Sequence, residues 1–497
     1  MKKVVLLNVG FDFPRYDEHL QLSPPLGILA VGSYLLEHDV PVELIDVQMD
    51  FGFGLTCAAE QVVCQRVARY LQSQADEIAW VGLSQLSNTV SGVTLAEEIR
   101  SALPETPIVF GGYFPSGNYE FMLRKYPAIT AIVRGDGEAA ALHISRSLAQ
   151  GQSFLSEQAP NLAWLCSGEI CANPIQPMNL DNLPILDFRL LRNVSHYPLI
   201  IMMTSRGCPF RCNYCLESDM RSYAAYSPEW VARQLDHLET ESSCTRIGVF
   251  DPIFGVGRKR TSEMCQVMGG RRFTYGVEGR VDILKASMIP SLRQAGVEII
   301  FWGIESASPA TLVRMDKVRS EVAARSYLDG TRAVLKACFE NDIAPMLGFM
   351  LGFPGDVEAD LQATLEFAQE VRQLYDRIAA QTNGEAGFVS LGQATKIYDG
   401  SPLSRRVAQD FPQAVLVPDP ALGESTVLSP SPGVTLDLIR HYETEINSLG
   451  HYTPKATELL YHYSTFAAKE LAVAHPELTD EQGVTVLCDG LRHFPRL

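Results

Sequence analysis

The chain has 497 residues, 46% apolar and 20% charged, with a formal net charge of −17. At roughly 100–200 residues per domain this allows two to four domains, and the balance excludes wholesale disorder. An acidic chain repels phosphate backbones, which argues against nucleic acid as a general partner, and no apolar run approaches the roughly 20 residues of a membrane span.

Met1-Lys2-Lys3 leads into Val4–Leu7 but stops at Asn8 without a small-residue cleavage site, so a signal peptide is not expected. The eleven cysteines then read as reduced thiols or metal ligands of a cytoplasmic enzyme. Over residues 1–150 short β-rich runs are predicted at Val4–Val9, Val42–Val47, Ile78–Leu83, Ile108–Phe110 and Ile129–Arg134. Helical patterns fall between them at Leu26–Glu37, Ala58–Gln74, Val93–Leu103, Tyr119–Lys125 and Glu138–Gln150. Strands joined by helical crossovers imply a doubly wound parallel sheet, with its ligand beyond the carboxyl ends of the strands. Residues 151–197, rich in Pro, Asn and Asp, read as a linker.

A second alternation spans 198–394, with strands predicted at Leu199–Thr204, Arg246–Phe250, Phe273–Val277, Val297–Gly303, Pro345–Leu351 and Gly387–Leu391. A helix is predicted over Ile283–Ala295, stopped by Gly296. Six such units make a partial (β/α)6 barrel, with active groups at the strand carboxyl ends. Residues 395–497 read as a small, mainly helical third domain, with helical runs at Leu436–Asn447 and Pro454–Ala474.

Directly after the first barrel strand, Cys208, Cys212 and Cys215 lie on one tight loop with the spacing Cys-x3-Cys-x2-Cys. Three soft thiolates this close suit a tetrahedral metal or an iron–sulfur cluster, and three leave one iron of a [4Fe–4S] cube open. Arg206 and Arg211 are expected to keep the thiolates ionised. Ordinary buried cysteines, or a zinc loop closed by a distant ligand, are the plainer alternatives; Tyr214 and the barrel context count against both. This segment resembles the signature of the radical SAM superfamily, which carries an aromatic residue just before its third cysteine. The likeness continues through Phe250–Phe254, Glu278–Asp282, Gly303–Ala307 and Gly348–Gly355. It implies a [4Fe–4S] cluster on the three cysteines and S-adenosyl-L-methionine (SAM) as cofactor. It also implies that Tyr214 lies near adenine, that Arg280, Glu305 and Ser306 are polar SAM contacts, that Asp251 faces the methionine amine and that Gly352 borders the site. Any one of these residues taken alone can equally be a rim residue that holds a loop.

In the first domain, Ser23–Gly27, Val42–Asp46, Val81–Leu86, Phe110–Tyr113 and Arg134–Glu138 follow in an order similar to the cobalamin-binding domain of cobalamin-dependent radical SAM enzymes. The resemblance implies cobalamin held by Pro25, Leu26, Ser84, Leu86, Gly111, Gly112, Gly135 and Glu138. Glycines 111 and 112 let backbone approach a bulky nucleotide tail. Gly10-Phe11-Asp12 is a poor dinucleotide fingerprint. Asp17–Leu22 resembles the D-x-H-x-x-G cobalt-ligand motif, which makes His19 a candidate ligand. Leu22 replaces the glycine, however, and the loop is long, so a polar loop residue is the favoured reading. Phe11, Phe13, Arg15 or Tyr16 then cover the lower face of cobalt.

The remaining cysteines form no second three-cysteine motif, which argues against auxiliary-cluster enzymes. The resemblance therefore implies a methyltransferase acting on carbon: a 5′-deoxyadenosyl radical activates the substrate, methylcobalamin donates the methyl group, and a second SAM restores it. The expected partners are a small-molecule or peptide substrate and an external electron donor such as flavodoxin or ferredoxin, with neither nucleic acid nor membrane. Tyr452, Tyr461, His462 and Tyr463 belong to the C-terminal part expected to close over substrate, although helical spacing also fits core residues. Oxidative cyclisation or rearrangement, a cofactor-based sensor, and an empty N-terminal domain remain the alternatives.

Overall fold

The computed structural model describes residues 2–9, 19–20, 23–54, 56–85, 90–192, 194–197, 199–382, 386–419, 424–455, 466–467, 481–482 and 484–485. Its first sheet is built from β1 (Lys3–Asn8), β2 (Val42–Asp46), β3 (Ile78–Ser84), β4 (Ile108–Gly111), β5 (Ala131–Val133), β6 (Leu162–Cys166) and β7 (Glu169–Ala172), in the order β2-β1-β3-β4-β5-β6-β7. The first five strands are parallel, and the last two add an antiparallel hairpin at the edge. Part of the 151–197 segment, expected as a linker, is therefore sheet.

β1 is apolar on both faces because both faces are covered. Val4 and Leu6 pack in one core layer with Ile28 and Leu29, while Val5 and Leu7 pack in the other with Val63 and Val67. The strand order reverses direction between β1 and β3, the switch point at which open sheets of this kind take their ligands.

The second sheet contains β8 (Ile200–Met202), β9 (Arg246–Val249), β10 (Thr274–Gly279), β11 (Val297–Glu305), β12 (Ala344–Leu351) and β13 (Val389–Ala394), parallel and in sequence order. Ser227, Ser308 and Ser320 each accept a backbone amide at the start of the helix that follows them, which fixes where the crossovers begin. The helix expected over Ile283–Ala295 is shorter. A 3₁₀ turn at Ala286–Met288 precedes Ile289–Gln294, because Pro290 has no amide to donate and suits only a first turn.

Beyond the barrel, β14 (Lys396–Tyr398), β15 (Val415–Asp419) and β16 (Glu424–Ser429) form a small antiparallel sheet with β16 in the middle. The helix Leu436–Ser448 buries Ile439, Tyr442 and Ile446 in the same core as the barrel strands. The described part of 395–497 thus mixes sheet and helix and leans on the barrel. Most of Pro454–Ala474, with Tyr461, His462 and Tyr463, lies outside the described residues. Among the described residues no helix is long and apolar enough to cross a membrane.

Candidate functional site

The cysteine loop starts where β8 ends, and its entry is anchored from the neighbouring strand end. Asp251, fully buried, accepts hydrogen bonds from the Thr204 amide (2.5 Å), the Thr204 hydroxyl (2.6 Å) and the Ser205 amide (2.9 Å). Gly207 has φ +71°, and a Cβ there would lie 2.5 Å from the Ser222 carbonyl oxygen, so only glycine lets the chain pass. Past Cys212, the Asn213 amide donates to the Met315 carbonyl (3.1 Å) and its side chain to the Arg314 carbonyl (2.8 Å).

Cys208, Cys212 and Cys215 line one open cavity of about 160 Å³ at the strand carboxyl ends, together with Glu278, Arg280, Glu305 and Lys317. Among the described residues no three His, Cys, Asp or Glu side chains are already grouped to hold a metal ion. Burial pushes the Cys215 thiol up to about 12 and the Cys208 thiol upward as well. Thiolates in that wall require a cation, which an iron–sulfur cluster supplies, so the residues fit such a group. Arg280 reaches the cysteine loop: Nη1 donates to Cys212 Sγ (3.3 Å), Nε to Asp282 (2.7 Å) and Nη2 to the Lys317 carbonyl. Arg206 does not serve the thiols as expected. Its guanidinium is buried and donates to Asp136 (3.0 Å) and Glu138 (2.7 Å) of the first domain.

Opposite the cysteines, Glu305 ends β11 in the left-handed region at φ +69°, just after a register shift. Its Oε1 accepts from Lys317 Nζ (2.9 Å) and from the Tyr214 hydroxyl (3.1 Å). A Cβ at Gly303 would meet that oxygen at 2.6 Å, which explains the glycine. Burial opposes the Lys317 charge, but Glu305 and then Tyr327 outweigh it and push its pKa up. Burial and Glu305 raise the Tyr214 phenol, keeping it a donor. Glu278, at the end of β10, is pushed up to about 7, first by burial and then by Asp251. Lys317 and Glu278 were missed as site residues. Lys317 follows a short helix and has no motif of its own, whereas an acidic residue closing the apolar strand Tyr275-Gly276-Val277 was a readable signal.

Three expected SAM residues are committed elsewhere. The Asp251 carboxylate is taken up by Thr204 and Ser205. Ser306, 2% exposed, meets the Thr364 hydroxyl (3.3 Å) and accepts the Ser308 amide (3.1 Å). Gly352 sits at φ +72°, where a Cβ would strike Ile439 at 2.4 Å, so packing against Leu436–Ser448 accounts for it.

In the first domain, Ser84 and Gly111 lie at the carboxyl ends of β3 and β4. A Cβ on Gly27 would come 3.3 Å from the Ser84 hydroxyl, while one on Gly111 would meet nothing closer than 4.0 Å. The backbone at Gly111 is thus open to close approach by a cofactor. Pro25 precedes the helix Leu26–Glu37, whose first residue packs partly buried on the core. Gly135, at φ +76°, donates its amide to Ser116 (3.1 Å). Two expectations change. Gly112, at φ +103°, is required by the Gln85 carbonyl, 2.3 Å from where its Cβ would lie, and Glu138 is spent on Arg206. Leu86 and residues 10–18 lie outside the described residues; the His19 backbone pairs with Ala467, and its side chain is not among those described. Beside the crevice, the buried Asp46 at the end of β2 accepts from the Tyr197 hydroxyl (2.6 Å) and Asn8 (3.3 Å), neither of them anticipated.

Residues 18–145 match the B12 binding domain and residues 202–368 the Radical SAM superfamily. An uncharacterised methyltransferase of Pyrococcus horikoshii is 26% identical over 70% of this chain and 74% of its own length. An anaerobic magnesium-protoporphyrin IX monomethyl ester cyclase of Synechocystis is 27% identical over 63% of each chain. The structure of the cobalamin-dependent radical enzyme OxsB with aqua-cobalamin and SAM superposes with a TM-score of 0.69 at 18% identity, covering 87% of this chain and 65% of that one. The methyltransferase TsrM from Kitasatospora setae, with tryptophan and a SAM analogue, gives 0.69 at 15% identity, covering 90% and 89%. This chain therefore spans somewhat less than two thirds of OxsB and of the cyclase.

Proposed function

We propose that this chain, an enzyme of the cobalamin-dependent radical SAM family with a [4Fe–4S] cluster, SAM and cobalamin as cofactors, is a methyltransferase. The reading is a methyl group moved from SAM, by way of the corrin, to carbon of a small-molecule or peptide intermediate of specialised metabolism. What carries it is the relative named as a methyltransferase, which is similar over most of both chains.

When bound, the cluster supplies reductive cleavage of SAM and the corrin supplies a transferable methyl group. Cys208, Cys212 and Cys215, which line the cavity, would hold the cluster. Arg280 supports the Cys212 sulfur with a hydrogen bond. Tyr214, Glu305 and Lys317 form the polar wall that orients SAM, and Glu278 holds a proton near neutral pH beside the cavity. Ser84, Gly111 and Gly135 would hold the corrin. The buried Arg206 pairs close the seam between the two domains against water. An external flavodoxin or ferredoxin provides the electron.

The test is anaerobic reconstitution with cobalamin and SAM, followed by mass analysis of a candidate substrate pool. A product heavier by one methylene unit, with label from methyl-labelled SAM, is expected. A product lacking hydrogens and unlabelled favours the second reading, oxidative ring closure, which the magnesium-protoporphyrin cyclase relatives support. No SAM cleavage by reduced protein overturns both.

A further inference from the structure

Each flank of the cysteine loop is tied to a different turn of the first domain. Upstream, Arg206 stands two residues before Cys208 and donates to Asp136 and Glu138. Downstream, Glu217 stands two residues after Cys215 and accepts the Tyr113 hydroxyl. Arg221 joins the two ties: Nη1 donates to Asp136 (2.9 Å), Nε lies 3.8 Å from Glu217, and its guanidinium lies 5.4 Å from the Tyr113 ring centre.

The two turns are the ones that follow β4 and β5. Tyr113 comes directly after Gly111-Gly112, and Asp136 directly after Gly135. All five charged side chains are at most 17% exposed. One carboxylate oxygen of Glu138 and one of Glu217 are buried without a hydrogen-bond partner. A buried pair that loses one partner leaves an uncompensated charge, so shifting either turn drags the cysteine loop instead of parting from it.

We propose that Tyr113 and Asp136 are positioning residues that couple the two cofactor sites: cobalamin settling on the turns after β4 and β5 sets the cysteine loop, and so raises the affinity for SAM. This rests on the cofactor assignment above but not on methyl transfer. The coupling is reciprocal, since SAM must tighten cobalamin by the same factor.

The test uses the cluster-loaded full chain, anaerobic and oxidised. SAM affinity is measured by equilibrium dialysis with and without hydroxocobalamin, and hydrogen exchange is followed over residues 205–221. In the wild type, hydroxocobalamin is expected to tighten SAM at least about fivefold and to slow exchange in that segment. Tyr113→Phe and Asp136→Asn are expected to keep their iron and bind each ligand alone as the wild type does, while the factor falls to near one. Arg221→Lys keeps the charge but loses the planar fork, and is expected to reduce the factor with the fold least disturbed. An unchanged factor in cluster-retaining variants, or a wild type that binds both ligands without mutual effect, overturns the coupling. A wild type that binds no hydroxocobalamin overturns the cofactor assignment beneath it as well.

Discussion

Arg280 Nη1 donates to the sulfur of Cys212 across 3.3 Å while its guanidinium carbon lies 3.8 Å from the centre of the Phe210 ring. One side chain just after β10 thereby supports the cysteine loop electrostatically and sterically. A hydrogen bond to a charged group contributes about 1.5–3 kcal/mol, so Arg280→Gln is expected to weaken cluster retention roughly ten- to a hundredfold. Iron and sulfide content after incubation with a chelator measures this. Retention equal to the wild type would remove Arg280 from the role. Cys208→Ala, Cys212→Ala and Cys215→Ala mark the floor, each with no cluster and no SAM cleavage.

Asp251 separates anchoring from cofactor contact. Its Oδ1 accepts two amides and its Oδ2 one hydroxyl, a pattern that asparagine reproduces once the Thr204 hydroxyl rotates. Asp251→Asn is therefore expected to keep both the cluster and wild-type SAM affinity. Asp251→Ala orphans two buried amides, costs about 1–3 kcal/mol for each group and lowers cluster occupancy. Thermal unfolding and iron analysis of the pair check this; an alanine variant as stable as the asparagine one contradicts the anchor.

Lys317 and Glu305 form a nearly enclosed ion pair, their side chains 5% and 15% exposed. Lys317→Met keeps the Tyr214 hydrogen bond to Glu305 but removes its ion-pair partner, and is expected to cost about 3 kcal/mol. Lys317→Met combined with Glu305→Leu removes both charges and is expected to recover part of that stability, while SAM affinity stays low. Chemical denaturation and SAM dialysis of the three proteins separate the stability of the pair from its use in binding.

Asp46 makes stability depend on pH. Burial, opposed by the Tyr197 and Asn8 hydrogen bonds, pushes its carboxyl up to about 6 from 3.8. The folded state thus binds a proton that the unfolded state has released, so stability falls as pH rises from about 4 to about 6 and levels off above. Infrared difference spectra near pH 5 are expected to show a protonated carboxyl band that Asp46→Asn removes. Tyr197→Phe deletes a bond favouring the ionised form and is expected to move the band's disappearance to higher pH.

Periodicity and spacing act over a few residues, and they placed most of what repeats or clusters locally. The helices Leu26–Glu37 and Tyr119–Lys125 lie where the apolar pattern put them, the strands fall within two or three residues of expectation, and the three cysteines share one loop after the first barrel strand. Side-chain partnerships are a different matter, because hydrogen bonds and ion pairs form between groups that strand order and register bring together. Asp251 is claimed by Thr204, 47 positions away, Ser306 by Thr364 at 58, and Arg206 by Glu138 at 68. Lys317 reaches Glu305 only because the chain returns across the end of β11, and Tyr113 reaches Glu217 only because two separate sheets meet at their carboxyl ends. The sequence alone determined which residue types were available to bind metal, SAM and corrin. Which of them remain free to do so was decided by the tertiary structure, since a buried carboxylate or hydroxyl takes the nearest donor or acceptor in space, whatever its distance along the chain.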